Sequence, residues 1–126
     1  MIEGAGIDII EVERIKQNIE KDAGFKELIF SVNEINYCES KANKFEHYAA
    51  RFAAKEAFFK ALGTGWKEGT NFNEIEIVNN LEGKPELILS GTTKQTLSAL
   101  GFLKILVSLS HLKTLATAVV IIEEIK

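Results

Sequence analysis

Asp8, Glu56 and His111 stand where the surrounding pattern calls for apolar side chains, and their types suit metal-assisted or acid–base chemistry. Asp8 sits in Gly6-Ile7-Asp8-Ile9-Ile10, a stretch otherwise apolar or glycine, and aspartate is a poor strand former. A buried carboxylate needs a counter-ion, a metal or a raised pKa, because burying it alone is costly. The competing reading is a strand-end aspartate that caps the next helix. Glu56 falls inside an apolar helical face, four residues after Phe52 and three before Phe59. Its competing reading is an ordinary Glu56–Lys60 ion pair at i, i+4. His111 ends the apolar run Ile105-Leu106-Val107-Ser108-Leu109-Ser110. It is either a satisfied turn residue or a group that contacts a phosphate or assists proton transfer.

Two carboxylates with few other ligands suggest Mg²⁺, which is held by one or two carboxylates together with waters and substrate phosphates. Zinc would want thiolate or imidazole, and Cys38, His47 and His111 are the only such residues. The substrate should therefore bring phosphate oxygens. Lys60, one turn after Glu56, and Arg51, one turn before Lys55, add positive charge along the same segment. Gly63-Thr64-Gly65 follows as a flexible stretch, without the Gly-Lys-Ser/Thr ending of a Walker A loop.

The elements that must position these residues can be read from periodicity. Ile2–Ile10 reads as a strand, with Gly4 and Gly6 permitting close backbone approach. A helix is expected over Glu11–Asp22, its buried stripe formed by Val12, Ile15 and Ile19. Ser31 and Glu34 have the capping-box form and predict a short helix starting there. The clearest helix runs over Lys44–Leu62, with Gly63 as its C′ residue. Phe45, Tyr48, Ala49, Phe52 and Phe59 share one of its faces, and Ala50, Ala54, Ala57 and Ala61 form a second stripe of small residues. Burial on two sides is therefore expected. Strands are expected over Ile75–Val78 and Glu86–Leu89, a helix over Thr92–Leu100, and a last strand pair over Leu103–Ser110 and Leu115–Glu123. The mixture predicts an α+β single domain over residues 1–126, a mostly antiparallel sheet packed against a long central helix.

Composition narrows the function classes. A hydrophobic fraction of 46% in 126 residues argues for one folded core rather than disorder. The formal net charge of -3 disfavours a general nucleic-acid binder, and no apolar run is long enough to span a membrane. A single cysteine allows no internal disulfide. The start of the chain lacks signal-peptide character, so a cytoplasmic location is expected.

Five segments, in order, resemble the holo-[acyl-carrier-protein] synthase family of 4′-phosphopantetheinyl transferases. They are Gly4-Ala5-Gly6-Ile7-Asp8-Ile9-Ile10-Glu11-Val12-Glu13-Arg14-Ile15, Arg51-Phe52-Ala53-Ala54-Lys55-Glu56-Ala57-Phe58-Phe59-Lys60-Ala61-Leu62-Gly63, Phe72-Asn73-Glu74-Ile75-Glu76-Ile77, Gly83-Lys84-Pro85 and Ser108-Leu109-Ser110-His111. The resemblance covers nearly the whole chain. It implies the 4′-phosphopantetheinyl transferase fold in homotrimers with active sites at subunit interfaces. It also implies a Mg²⁺ site at Asp8 and Glu56, and coenzyme A contacts from Arg51, Lys60, Gly83, Lys84, Pro85 and His111. Three departures bear on packing: Ala5 replaces a larger aliphatic residue, and Phe72 and Glu74 replace tryptophan and aspartate.

The implied reaction is attack of a carrier-protein serine on the β-phosphorus of coenzyme A, supporting fatty acid biosynthesis. Asp8, Glu56 and Lys60 are the candidate catalytic residues: Lys60 neutralises charge near the leaving group, and Glu56 accepts the serine proton directly or through a metal-bound water. An acidic acyl carrier protein should dock on the outward face of the first helix, through Arg14, Gln17, Asn18 and Lys21, with Lys26 extending the patch. The alternatives are a Mg²⁺-dependent phosphohydrolase using the same carboxylates and a non-catalytic carrier-protein-binding module.

Overall fold

The computed structural model describes residues 1–101 and 103–124. It is an α+β fold built around one long helix. Strand β1 (Ile2–Glu11) leads into helix α1 (Val12–Lys21), then α2 (Phe25–Ile29), α3 (Val32–Glu39) and the central α4 (Lys44–Leu62). Strands β2 (Ile75–Asn79) and β3 (Pro85–Leu89) follow, then α5 (Gly91–Leu97), β4 (Leu103–His111) and β5 (Leu115–Glu124). The strands form two antiparallel sheets, one ordered β1-β5-β4 and the other pairing β2 with β3.

The central helix has the bounds its pattern predicts, and Gly63 closes it in the left-handed region at φ 79° with its N–H on the Lys60 carbonyl. The capping box at Ser31 is present in both directions. Two short elements escape the periodicity reading: α2 and a 3₁₀ turn over Phe72–Glu74. Five residues or fewer are too short to carry a recognisable apolar period. The helix expected over Thr92–Leu100 is α-helical only to Leu97 and tightens to a 3₁₀ turn over Ser98–Leu100.

Helix α4 packs on the inner face of the three-stranded sheet and is covered elsewhere by α1, α3 and β2. Ala57 and Ala61 of its alanine stripe lie against β1. A methyl group on Gly4 or Gly6 would collide with the backbone carbonyl of Ala61 or Ala57, so strand and helix touch backbone to backbone. On the aromatic side, Phe58 and Phe59 are buried, each worth about 1.5–3 kcal/mol of hydrophobic stabilisation. Phe72 stacks on Phe52 at 6.1 Å and meets the edge of Phe59 at 5.3 Å, which fills the position where a tryptophan was expected.

Strand alternation sorts the sheet residues by face. Gly6, Ile10, Ala116, Ala118, Val120 and Ile122 are buried toward α4, and Asp8 lies between Gly6 and Ile10 on that same face. The opposite face carries Ala5, Ile7, Ile9, Leu106 and Val119, all exposed.

Candidate functional site

The predicted site residues gather at two poles of α4. The first is acidic. Asp8 is held at the junction of β1 and α4: its backbone carbonyl accepts from Thr117 Oγ1 at 2.8 Å, and its side chain is 16% exposed. Lys60 Nζ donates to Asp8 Oδ1 at 2.9 Å and to the Ile7 carbonyl at 3.0 Å. Neither competing reading holds for these groups. Helix α1 begins at an N-cap Glu11 that makes no side-chain cap, and Lys60 reaches across to Asp8, its only carboxylate partner within ion-pair distance among the described residues.

Glu56 is half-buried on α4. Burial pushes its carboxyl above the ordinary glutamate range, the negative charge of Asp8 adds to the rise, and Lys60 partly opposes it. Asp8 and Glu56 are therefore electrostatically coupled, and one ammonium serves two carboxylates. Residual negative charge on a hard oxygen pair is what a Mg²⁺ ion fits. Among the described residues no group of three or more acidic, histidine or cysteine side chains forms a metal cage. A cation held by Asp8 and Glu56 would thus draw its remaining oxygens from substrate and water.

The second pole is basic. Arg51 is 2% exposed, yet among the described residues its guanidinium has no carboxylate partner within ion-pair distance: Nη2 donates to the neutral Asn79 Oδ1 at 2.9 Å, the group lies 4.2 Å from the Tyr37 ring centroid, and Nε has no hydrogen-bond partner. A buried cation with donor capacity to spare invites an anion. Asn79 also donates to the Gly83 carbonyl at 3.0 Å, tying Arg51 to the β2–β3 turn. In that turn Asn80 Oδ1 accepts from the N–H groups of Glu82 and Lys84, and Gly83 takes φ 85°. Gly83 and Lys84 are exposed and Pro85 is half-buried.

His111, the last residue of β4, places Nδ1 2.8 Å from Glu46 Oε1 near the start of α4. It belongs with the basic pole, because its ring meets the edge of His47 at 5.1 Å and His47 in turn meets Tyr37 at 5.6 Å. Within one chain the two poles stay apart. Arg51 and Glu56 are separated by about 140° around the helix, and Glu46 and Glu56 by ~15 Å along it.

On α1, Val12 and Ile15 are buried while Arg14, Gln17, Asn18 and Lys21 are exposed, as the helical period requires. Lys26 is half-buried in α2.

Sequence reasoning missed the partners of three polar residues, Lys55, Glu34 and Glu74. Lys55 and Glu34 form a fully buried ion pair at 2.7 Å. The capping box already accounts for Glu34, and a capping glutamate ordinarily lies at the surface. Glu74, the departure from aspartate, caps α5: it accepts from the backbone N–H groups of Thr92 and Thr93, the Thr93 hydroxyl and Asn71 Nδ2. These bonds, with Asn71 and Thr93 the largest contributors, hold its carboxyl down at about 2.

Residues 4–119 match the family model of the 4′-phosphopantetheinyl transferase superfamily. The holo-[acyl-carrier-protein] synthase of Cytophaga hutchinsonii is 51% identical over 126 residues, covering 96% of this chain and 97% of that protein. The crystal structure of holo-[acyl-carrier-protein] synthase from Neisseria meningitidis superposes with a TM-score of 0.88 at 32% identity, covering 98% of this chain and 100% of that one. The Bacillus anthracis holo-(acyl-carrier-protein) synthase, solved in complex with CoA (3′,5′-ADP), matches with a TM-score of 0.80 at 40% identity, covering 97% of this chain and 96% of that one.

Proposed function

Because the chain belongs to the holo-[acyl-carrier-protein] synthase family and is a phosphopantetheinyl transferase, we propose that it moves the 4′-phosphopantetheine arm of coenzyme A onto a serine of apo acyl carrier protein in a Mg²⁺-dependent reaction that releases 3′,5′-ADP. The observation that carries this reading is the coupled Asp8–Glu56 pair with Lys60 bridging from α4 to β1. It supplies charge for a metal–diphosphate group at one end of the helix, while the buried, partly unpartnered Arg51 supplies charge for an anion at the other.

Asp8 and Glu56 would hold the metal, which when bound supplies charge neutralisation for the diphosphate. Phosphoryl transfer asks a protein mainly for positioning and electrostatic stabilisation. Lys60 has a half-exposed side chain anchored, among the described residues, by Asp8 and a backbone carbonyl alone, so it can turn toward a phosphate oxygen and stabilise the leaving group. Glu56 has its proton affinity raised by burial and by Asp8, which suits it to receive the serine proton at a carboxylate oxygen. Arg51, Gly83, Lys84, Pro85 and His111 are proposed to hold the nucleotide end of the donor.

The separation of the poles supports a site completed between subunits, and the exposed Ile7, Ile9, Leu106 and Val119 supply an apolar sheet face for assembly. We assign this face to a homotrimer, which sedimentation should register as three times the chain mass. The acidic partner is assigned to Arg14, Asn18 and Lys21 on α1. An Arg14→Glu/Lys21→Glu variant should raise carrier-protein KM at low salt with kcat preserved; an unchanged KM would move docking elsewhere. A cytoplasmic location and a role in fatty acid biosynthesis belong to the same reading, supported by the carrier-protein acceptor.

The direct test is mass spectrometry of apo acyl carrier protein incubated with the chain, coenzyme A and Mg²⁺. A gain of about 340 Da, the mass of the transferred arm, supports transfer. Phosphate release without that gain favours the phosphohydrolase, and carrier binding without any reaction favours the binding module.

A further inference from the structure

We propose that His47 is a further donor-binding residue, which takes up a proton as a phosphate of the bound nucleotide enters the basic pole. The inference rests on the coenzyme A reading above. Its geometry is a chain of contacts: Arg51 over Tyr37 at 4.2 Å, Lys41 over the same ring at 4.8 Å, Tyr37 edge-on to His47 at 5.6 Å, and His47 edge-on to His111 at 5.1 Å.

The groups facing His47 come from three elements. Tyr37 projects from α3, with Lys41 just beyond it, Glu46 and Arg51 project from α4, and His111 comes from β4. Glu46 is already engaged by His111 Nδ1 at 2.8 Å. Without an anion, burial and the nearby His111, Arg51 and Lys41 push the His47 pKa below the ordinary histidine value, against a smaller upward contribution from Glu46. The imidazole is then neutral at neutral pH. A phosphate brought in to meet the Arg51 guanidinium, whose Nε has no hydrogen-bond partner, adds negative charge beside the ring and reverses that balance, so His47 gains a proton. Donor affinity should therefore be greater at lower pH and fall as pH rises through the pKa of His47 in the complex.

The sign separates His47 from the ligand's own chemistry. A phosphomonoester that enters a cationic site loses its second proton, so it contributes release where His47 contributes uptake. The test is titration calorimetry of the whole protein with 3′,5′-ADP near pH ~7, in buffers of different ionisation enthalpy, for wild type, His47→Phe and His47→Gln. The phenylalanine variant keeps a ring against Tyr37, and the glutamine variant keeps polarity without a proton to gain.

Wild type should take up a measurable fraction of a proton, and both variants should lose most of that uptake. Their binding should weaken roughly 3–10-fold at pH ~6 and converge on wild type near pH ~8. Parallel titration with 5′-AMP identifies the phosphate. Uptake confined to 3′,5′-ADP assigns the 3′-phosphate, and uptake with both assigns the 5′-phosphate. Binding with no uptake in wild type, or with undiminished uptake in both variants, overturns the role of His47 and leaves the transferase reading standing. Failure of 3′,5′-ADP and coenzyme A to bind at all removes both.

Discussion

Helix α4 carries two lysine–carboxylate groups five residues apart, and they are opposites. Lys55 and Glu34 are sealed: both side chains are 0% exposed, and Lys55 Nζ donates to Glu34 Oε1 at 2.7 Å and to the carbonyls of Phe72 and Ile75 at 2.8 and 2.6 Å. Glu34 completes its own set by accepting from the Ile77 and Ser31 N–H groups. Lys60, Asp8 and Glu56 are open: the lysine side chain is 54% exposed, and one ammonium faces two acids. The same residue types thus build a structural rivet where every donor and acceptor is used, and a candidate reaction centre where charge is left over. Burial alone does not distinguish them; unspent hydrogen-bonding capacity and charge do.

The largest break in this contrast should come from the sealed pair. Lys55→Met strands Glu34 among α3, α4 and β2 and should cost about 3–5 kcal/mol in urea unfolding. Turnover of the molecules that remain folded should be near wild type. If kcat per folded molecule collapses while stability holds, Lys55 belongs with the chemistry instead.

Glu56→Gln should do the reverse. Turnover should fall about 100-fold or more through loss of a charged site group. Without metal the variant should melt slightly higher, since the charge removed is one the fold penalises. The sign follows from the raised carboxyl: the folded state binds this proton more tightly than the unfolded chain, so ionised Glu56 costs stability at neutral pH.

Glu74 sharpens the comparison from the surface. Among the described residues it has four donors and no counter-ion within salt-bridge distance, so it stabilises by capping. Glu74→Gln should cost less than about 1 kcal/mol, after allowance for solvent screening. The carboxylate's contribution is complete above the ordinary value of 4.5 and is lost as pH falls through about 2. Acid unfolding of wild type and variant should therefore converge at the low end; curves that stay parallel would deny the cap.

Much of this was legible in the sequence because it rests on periodicity. The bounds of α4, the two-sided burial and the β4–β5 pairing all follow from periods of 3.6 and 2. The partners of the polar groups were not legible, because they depend on contacts between distant segments. Lys60 meets Asp8 across 52 residues and Arg51 meets Asn79 across 28, and no local pattern encodes such a meeting. The burial of Glu34 was hidden for a related reason: its capping role explained its presence so well that nothing marked it for a second partner. His47 was counted only as a possible metal ligand, since its ring neighbours come from α3 and β4.

The contact between β1 and α4 also shapes how this chain can vary. A survey of tolerated substitutions would find positions 4 and 6 as unforgiving as positions 8 and 56, although glycine has no side chain to lend to any reaction. What those two residues contribute is clearance: the room for a strand to lie directly on a helix, at the distance that brings an acid on one within the field of an acid on the other. Mutational intolerance at Gly4 and Gly6 would then mark missing volume, and reading it as reactivity would put chemistry where there is only empty space.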